Sequence, residues 1–548
     1  MISFKDLKNY IINDPLSDWF EKINHKYDAY ESTEPTKFEV NLRENKYQYK
    51  ENFIDFLMSS DYEINKDQDY QSVKNKIDKK DKCIFIKPTL YHEKYNLNII
   101  PDFIIHRDIF KEIFNGVDEI NIPDLHDKSL PQSLPLYIVS DIVYQTVHFN
   151  SDMTDLINDN NLYYYKCKIY LCNQILGYNG YGILFPKEYR HKECILKKKS
   201  VVGRFLFNSD MKDKILHALA WLDNLNLYYD EWLIYPKPTI TELYPNMNIK
   251  TGPWTKEKKR LAEEIQEITL VWNISYHKRC LLHDKGIYTW SDPMLLNNIY
   301  PYEVKETERR RIQEKMIHMN KQNILKISPR RIKNLDFINH IKDKNNSIVL
   351  DFESVINLEE RSSYFDDKIR DEIPKICIIG CINLKNNVFK DFTIKYLNLE
   401  EEEKIIKYWL QYLKRVVGNN IKIYHWSSAE RVYIDYMMAQ YPHLDYPNFT
   451  YVDLLSYFKM EPITIQGCFG YGLKEIVKML YNHELIKNKW QDDTDGLEAM
   501  IEIIHKSEDA LDKRIPIKRY TEIKKIIYYN YMDCKVIVDI LEMLEKMI

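Results

Sequence analysis

The chain has 548 residues, of which 45% are apolar and 29% charged, and its formal net charge is −4. At roughly 150 residues per domain, that length allows three or four domains, each able to bury a core. The near-neutral balance excludes bulk electrostatic attraction to nucleic acid, so any such binding must use local patches.

Residues 1 to 80 mix helical segments with polar loops, and Asn45 to Met58 carries the apolar stripe of a helix. From Cys83 to Phe149 the pattern turns β-like, in CIFIKPTLY, NLNIIPDFIIH and LPLYIVSDIVYQTVHF. Leu162 to Gly177 then reads as a helix, which completes an α/β core. Residues 203 to 250 are aromatic-rich, with Pro236, Pro238 and Pro245 as breakers. Trp254 to Arg279 reads as one helix, and Tyr302 to Lys333 as a polar, basic connection. A second α/β unit opens at SIVLDF, with strands near Ile348–Phe352, Ile376–Ile382, Val388–Tyr396, Ile421–Trp426 and Tyr451. Its helices fall near Glu401–Val417, Ala429–Gln440, Leu473–Leu480, Leu497–Glu502 and Tyr520–Met547. The first three strands suit a meander, and strand–helix alternation follows.

The basic patches are Lys197-Lys198-Lys199, Lys256 to Arg260, Arg309-Arg310-Arg311 and Arg330-Arg331, each of which alone also fits a solvated face. Nine cysteines without a CxxC pair suggest reduced thiols, no zinc site and a cytosol-like compartment. Met1 to Asn24 has no signal-like apolar core, and no run approaches 18 apolar residues, so no membrane partner is expected. With 43 tyrosines in the chain, a tyrosine inside a motif is weak evidence.

Three acidic elements stand out in the second unit. Strand alternation puts Asp351 and Glu353 of DFE on one face, where two carboxylates can hold a divalent cation through oxygen ligands. Glu430 follows a strand and turn, HWSSAE, and also suits the first turn of a helix through the dipole. On the last helix, Tyr529 and Asp533 are four apart and share a face.

In order and context the three resemble the DEDD exonuclease superfamily of the RNase H-like fold. That family has a DxE on its first strand, an acid after an HNxxxD-like turn and a YxxxD on its last helix. Ending the second motif in Glu resembles the branch of predicted RNase H-like nucleases fused to RecB-type domains. VDLL (452–455) and YGLKEI (471–476) are similar to that branch's DLL and SLKxhA segments. The resemblance covers residues 347–548. It implies a metal-dependent nuclease, a 3′–5′ exonuclease or a structure-dependent endonuclease, acting on DNA or RNA, with a single-stranded end as the expected substrate. Two Mg²⁺ or Mn²⁺ ions would be held by Asp351, Glu353, Glu430 and Asp533, with Tyr529 orienting the attacking water. The histidine of the alternative subgroup would fall at Tyr528.

IIPDFIIHRD and YIVSDIV resemble a PD-(D/E)XK nuclease core, in which Asp102 and Asp141 match the two acids and Glu51 the helical one. The lysine expected at 143 is Val143. Either the domain is degenerate and kept for binding, or Lys166 or Lys168 of YKCKIY substitutes from the helix. Residues 255–300 resemble a helix–hairpin–helix linker that has lost its GxG turn. The expected organisation is therefore α/β throughout: a PD-(D/E)XK-like domain at 1–202, a helical linker at 203–340 and an RNase H-like domain at 341–548. The alternative function is a catalytically weak nucleic-acid-binding scaffold. The A+T-biased composition and the domain fusion resemble proteins of large DNA viruses, which bears on source alone; the expected location, cytoplasmic or otherwise intracellular, rests on the unpaired cysteines.

Overall fold

The computed structural model describes residues 2–66, 69–114, 134–153, 155–192, 194–196, 202–300, 307–322, 324–355, 376–490 and 496–548. The chain is mixed α/β and divides into two compact units.

The first unit takes in residues 1–34 and 42–261. Its main sheet uses helix α1 (Lys37–Met58), strands β1 (Ile84–Ile86), β2 (Phe103–His106) and β3 (Tyr137–His148), helix α2 (Asn160–Ile175), strands β4 (Tyr181–His191) and β5 (Gly203–Leu206) and helix α3 (Ser209–Tyr228). The spatial order runs β5-β4-β3-β2-β1, with Ile64–Asn65 at the far edge. β1, β2 and β3 pair antiparallel; β3 and β4 are parallel, joined by a connection that contains α2. Apolar clusters cover both faces: Phe53, Phe103 and Phe185 lie on one, Val139, Leu184 and Ile169 on the other. Burial on both faces explains why β3 reads as a nearly continuous apolar run.

The second unit contains residues 35–41, 262–357 and 370–548. Its sheet uses β6 (Ser347–Ser354), β7 (Ile376–Asn383), β8 (Val388–Thr393), α4 (Leu399–Val416), β9 (Asn420–His425), α5 (Ala429–Gln440) and β10 (Asn448–Asp453). The order is β8-β7-β6-β9-β10: an antiparallel meander, then two parallel strands beside β6. This is the expected meander followed by alternation. After β10 come α6 (Leu454–Met460), α7 (Leu473–Asn482) and α8 (Thr521–Glu545). α8 packs on β6 and β7 through the apolar stripe Val536, Ile537, Ile540 and Leu541.

Three expectations are corrected. Residues 203–340 form no unit of their own: the stretch to Leu261 clusters with the first unit and the rest with the second. Trp254 to Arg279 is broken into Thr255–Glu264, a turn at Ile268–Leu270 and Tyr276–His283. The break is built in, because Glu267 folds its carboxylate back onto the Thr269 N–H at 3.0 Å, and Asn273 takes a left-handed φ of 62°. The polar stretch 302–333 contains the helix Glu308–Gln322, whose Ile312 and Met316 enter the second unit's core. Their spacing of four was hidden among surrounding charges.

Candidate metal centre

The alternation of β6 decides which acids reach the site. Phe352 packs on one face of the sheet, against Trp409 of α4 and Tyr433 of α5. Asp351 and Glu353 point to the opposite face, the one that α8 covers. Asp533 comes from α8 itself. Carboxylate oxygens of Asp351, Glu353 and Asp533 all lie within 4.8 Å of one another.

Neutral donors hold these acids. Asn530, one turn before Asp533, is fully buried; its Nδ2 donates to Asp351 Oδ2 at 2.6 Å and reaches Glu353 Oε1 at 3.5 Å. The approach depends on Gly380, which pairs with Asp351 across β6 and β7. A Cβ at Gly380 would lie 1.6 Å from Asn530 Oδ1. Trp490 Nε1 donates to Asp533 Oδ1 at 3.0 Å.

Glu430 stands beside this group rather than within the 4.8 Å cluster. It lies in the first turn of α5, where its Oε2 is 3.6 Å from His425 Nδ1 and is buried without a hydrogen-bond partner. Its position is fixed from below. Ser427, with a left-handed φ of 76°, donates its N–H to Asp453 Oδ1 at 3.0 Å. The same Asp453 caps α6, accepting from Leu455 N at 3.0 Å and Ser456 Oγ at 2.7 Å. The acid of VDLL is thus a helix cap that also clamps the turn before Glu430.

The electrostatics follow from crowding like charges in a buried place. Burial, then the charges of Asp533, Glu353 and Glu430, push the Asp351 carboxyl well above its ordinary range. Burial and Asp533 do the same to Glu353, against the Asn530 hydrogen bond and the Lys474 charge. Asp533 is pushed up to about 7 by burial, opposed by Trp490, Lys474 and Tyr529. Glu430 is pushed up to about 8, again mainly by burial. Tyr529 is half-buried beside Asp533, and the Lys474 ammonium of α7 sits 5.5 Å from its ring centroid. Tyr528 is 49% exposed, on another face of α8.

Only oxygen donors make up the acidic cluster, and the nearby Glu430 Oε2 is an orphaned buried oxygen. Both features fit a hard divalent cation.

In the first unit, Asp102, one residue before β2, meets Asp141 of the neighbouring strand β3: Asp102 N donates to Asp141 Oδ1 at 2.9 Å, and Ile142 N to Asp102 Oδ2 at 2.8 Å. Lys168 Nζ reaches Asp141 at 2.9 Å. Lys166, two residues earlier and so on another side of α2, is buried elsewhere, donating to Leu156 O at 2.6 Å and Asp155 Oδ1 at 3.3 Å. Of the two candidate lysines, only Lys168 stands at the acids. Glu51 pairs with Lys87 at 2.8 Å, while its neighbour Lys50 takes Asp102 Oδ2 at 2.5 Å.

Asn530, Trp490, Lys474 and Lys50 were not anticipated. Asn530 is three residues before Asp533, a spacing that shares a helix face. Lys50 stands three, four and seven residues before Phe53, Ile54 and Leu57 on the buried stripe of α1. Lys474 sits inside YGLKEI, and nothing in the sequence marks Trp490. The anticipated basic patches are partly structural: Lys258 is buried against Asp14 at 2.8 Å, and Arg311 donates to Met460 O. Lys197-Lys198-Lys199 lies outside the described residues.

No protein-family model matches the chain, and neither a curated protein nor a solved structure matches it. Among the described residues, no helix is long and apolar enough to cross a membrane.

Proposed function

We propose that the second unit is a metal-dependent nuclease of the DEDD type, cleaving phosphodiester bonds at a single-stranded end of DNA or RNA. The observation that carries the reading is the meeting of Asp351, Glu353 and Asp533, from a strand and a helix 180 residues apart, at the end of a β8-β7-β6-β9-β10 sheet. Three carboxylates brought this close, with Glu353 buried among them, repel one another without positive charge, and that cost supports a cation-binding role.

Asp351, Glu353 and Asp533 would hold Mg²⁺ or Mn²⁺, with Glu430 completing the set from the edge. Cations bound there would supply a water of lowered pKa and would neutralise charge on the phosphate. The chain's own residues do the rest. Asn530 and Trp490 hold the carboxylates in place by neutral hydrogen bonds. Tyr529, beside Asp533, would hold the attacking water. Lys474 brings positive charge toward Asp533 and Glu353 and is exposed, so an incoming phosphate can meet it.

The test is Mn²⁺ binding, together with degradation of single-stranded DNA and RNA, by the wild type and Asp351→Ala. Loss of both in the variant supports the reading, and cleavage that survives Asp351→Ala sinks it. Metal binding without cleavage of any substrate would leave the scaffold reading, which the lysine-covered acids of the first unit favour for that half of the chain.

A further inference from the structure

The acid pair of the first unit has the opposite electrical design to the acidic cluster of the second. Asp102 Oδ2 already accepts from Lys50 Nζ at 2.5 Å and from Ile142 N at 2.8 Å. Asp141 Oδ1 accepts from Asp102 N at 2.9 Å, and Lys168 Nζ lies 2.9 Å from the same carboxylate. Glu51, the third acid of this region, is paired with Lys87. Each carboxylate therefore carries its own ammonium, at direct contact distance. Asp141 is completely buried and the Lys168 side chain is only 12% exposed, so water screens their contact poorly. The second unit's acids, by contrast, receive hydrogen bonds from an amide and an indole, neither of which carries charge.

We infer that the first unit's acid pair is closed to divalent cations, with Lys50 serving as the resident positive charge where a metal would otherwise be drawn. A divalent ion entering between Asp102 and Asp141 would have to displace two ammonium groups or share the space with them. Either outcome costs more than the two carboxylates can return. The missing lysine at position 143 is thus only half of the departure. Lys168 restores a positive charge from α2, and Lys50, from α1, adds one that a metal site cannot tolerate. This holds whether or not the second unit is a nuclease.

The experiment uses the full chain carrying Asp351→Asn and Asp533→Asn, so that the other acidic cluster no longer binds. Mn²⁺ is titrated and followed by calorimetry and by its paramagnetic resonance signal. No saturable site is expected in this background. Adding Lys50→Met, which keeps the apolar stem, should create one, with affinity at least about tenfold above background. Asp102→Asn on top of it should abolish that gain. Lys50→Gln serves as a second variant, and thermal unfolding confirms that each protein is folded. A saturable Mn²⁺ site in the starting background that disappears with Asp102→Asn overturns the inference. So does the absence of any gain in both folded Lys50 variants.

Discussion

The Asn530 side chain lies directly over the α-carbon of Gly380, on the strand that pairs with the one bearing Asp351. Only a residue without a side chain lets α8 come close enough for Asn530 to reach Asp351 and, more weakly, Glu353. Gly380→Ala should therefore move Asn530 and release both acids. We expect about 1–3 kcal/mol of lost stability in urea unfolding and about tenfold weaker Mn²⁺ binding by calorimetry. If both quantities stay at wild-type values, the close approach is not what holds the acids.

Without metal, the acidic cluster should make stability fall as pH rises. The carboxyls of Asp351, Glu353, Asp533 and Glu430 are all raised in the folded state, Asp533 to about 7 and Glu430 to about 8. Above their ordinary values of 3.8 and 4.5, the folded chain holds more protons than the unfolded one. The contribution to stability is fully present below the ordinary values and is lost as pH climbs through the raised ones. Tm in a chelator should drop between about pH 5 and about pH 8, and Asp351→Asn with Asp533→Asn should flatten that drop. Excess Mg²⁺ should also flatten it, because a cation restores the balance. A chelated protein whose Tm does not fall over this range would refute the coupling.

Trp490→Phe removes the N–H that Asp533 Oδ1 accepts while keeping an aromatic ring in place. Asp533 should then titrate higher still, and Mn²⁺ binding near pH 7 should weaken by up to about tenfold, the worth of a hydrogen bond to a charged group, roughly 1.5 kcal/mol. The deficit should shrink at higher pH, where the carboxyl is ionised in either protein. A deficit independent of pH would mean that Trp490 acts only by packing.

Asp453→Ala removes the cap of α6 and the clamp on Ser427 together. The cap alone is worth about 1 kcal/mol. Freeing the turn should also let Glu430 drift, so metal affinity should fall along with stability. Asp453→Asn, which can still accept from the Ser427 and Leu455 N–H groups, should recover most of both. If Asn restores stability but not metal affinity, the clamp has no bearing on Glu430.

How much of this was legible in the sequence depended on whether the signal was periodic. SIVLDFE reads as a strand, whose alternation puts Asp351 and Glu353, two apart, on one face, and the four-residue spacing on the last helix put Asp533 and Tyr529 on a shared face. The break at Glu267 was not legible, because a carboxylate capping its own turn looks like any helical acid until the chain is folded. The helix Glu308–Gln322 was missed because its buried residues are outnumbered by charges. Lys50 is indistinct in the sequence beside Glu51, because the choice between them turns on helix phase, one residue apart. Trp490 acts through a contact 43 positions along the chain, which no local pattern encodes.

Cys534 follows Asp533 on α8 and points its thiol into the sheet, where Sγ donates to the Gly380 carbonyl at 3.6 Å. Burial pushes that thiol far above its ordinary range, so in the native molecule it is both shielded and unreactive. An alkylating reagent can reach it only when the last helix lifts from the strands. The rate at which this sulfur is labelled thus becomes an internal clock for that opening, which a cation held by the acidic cluster would be expected to slow.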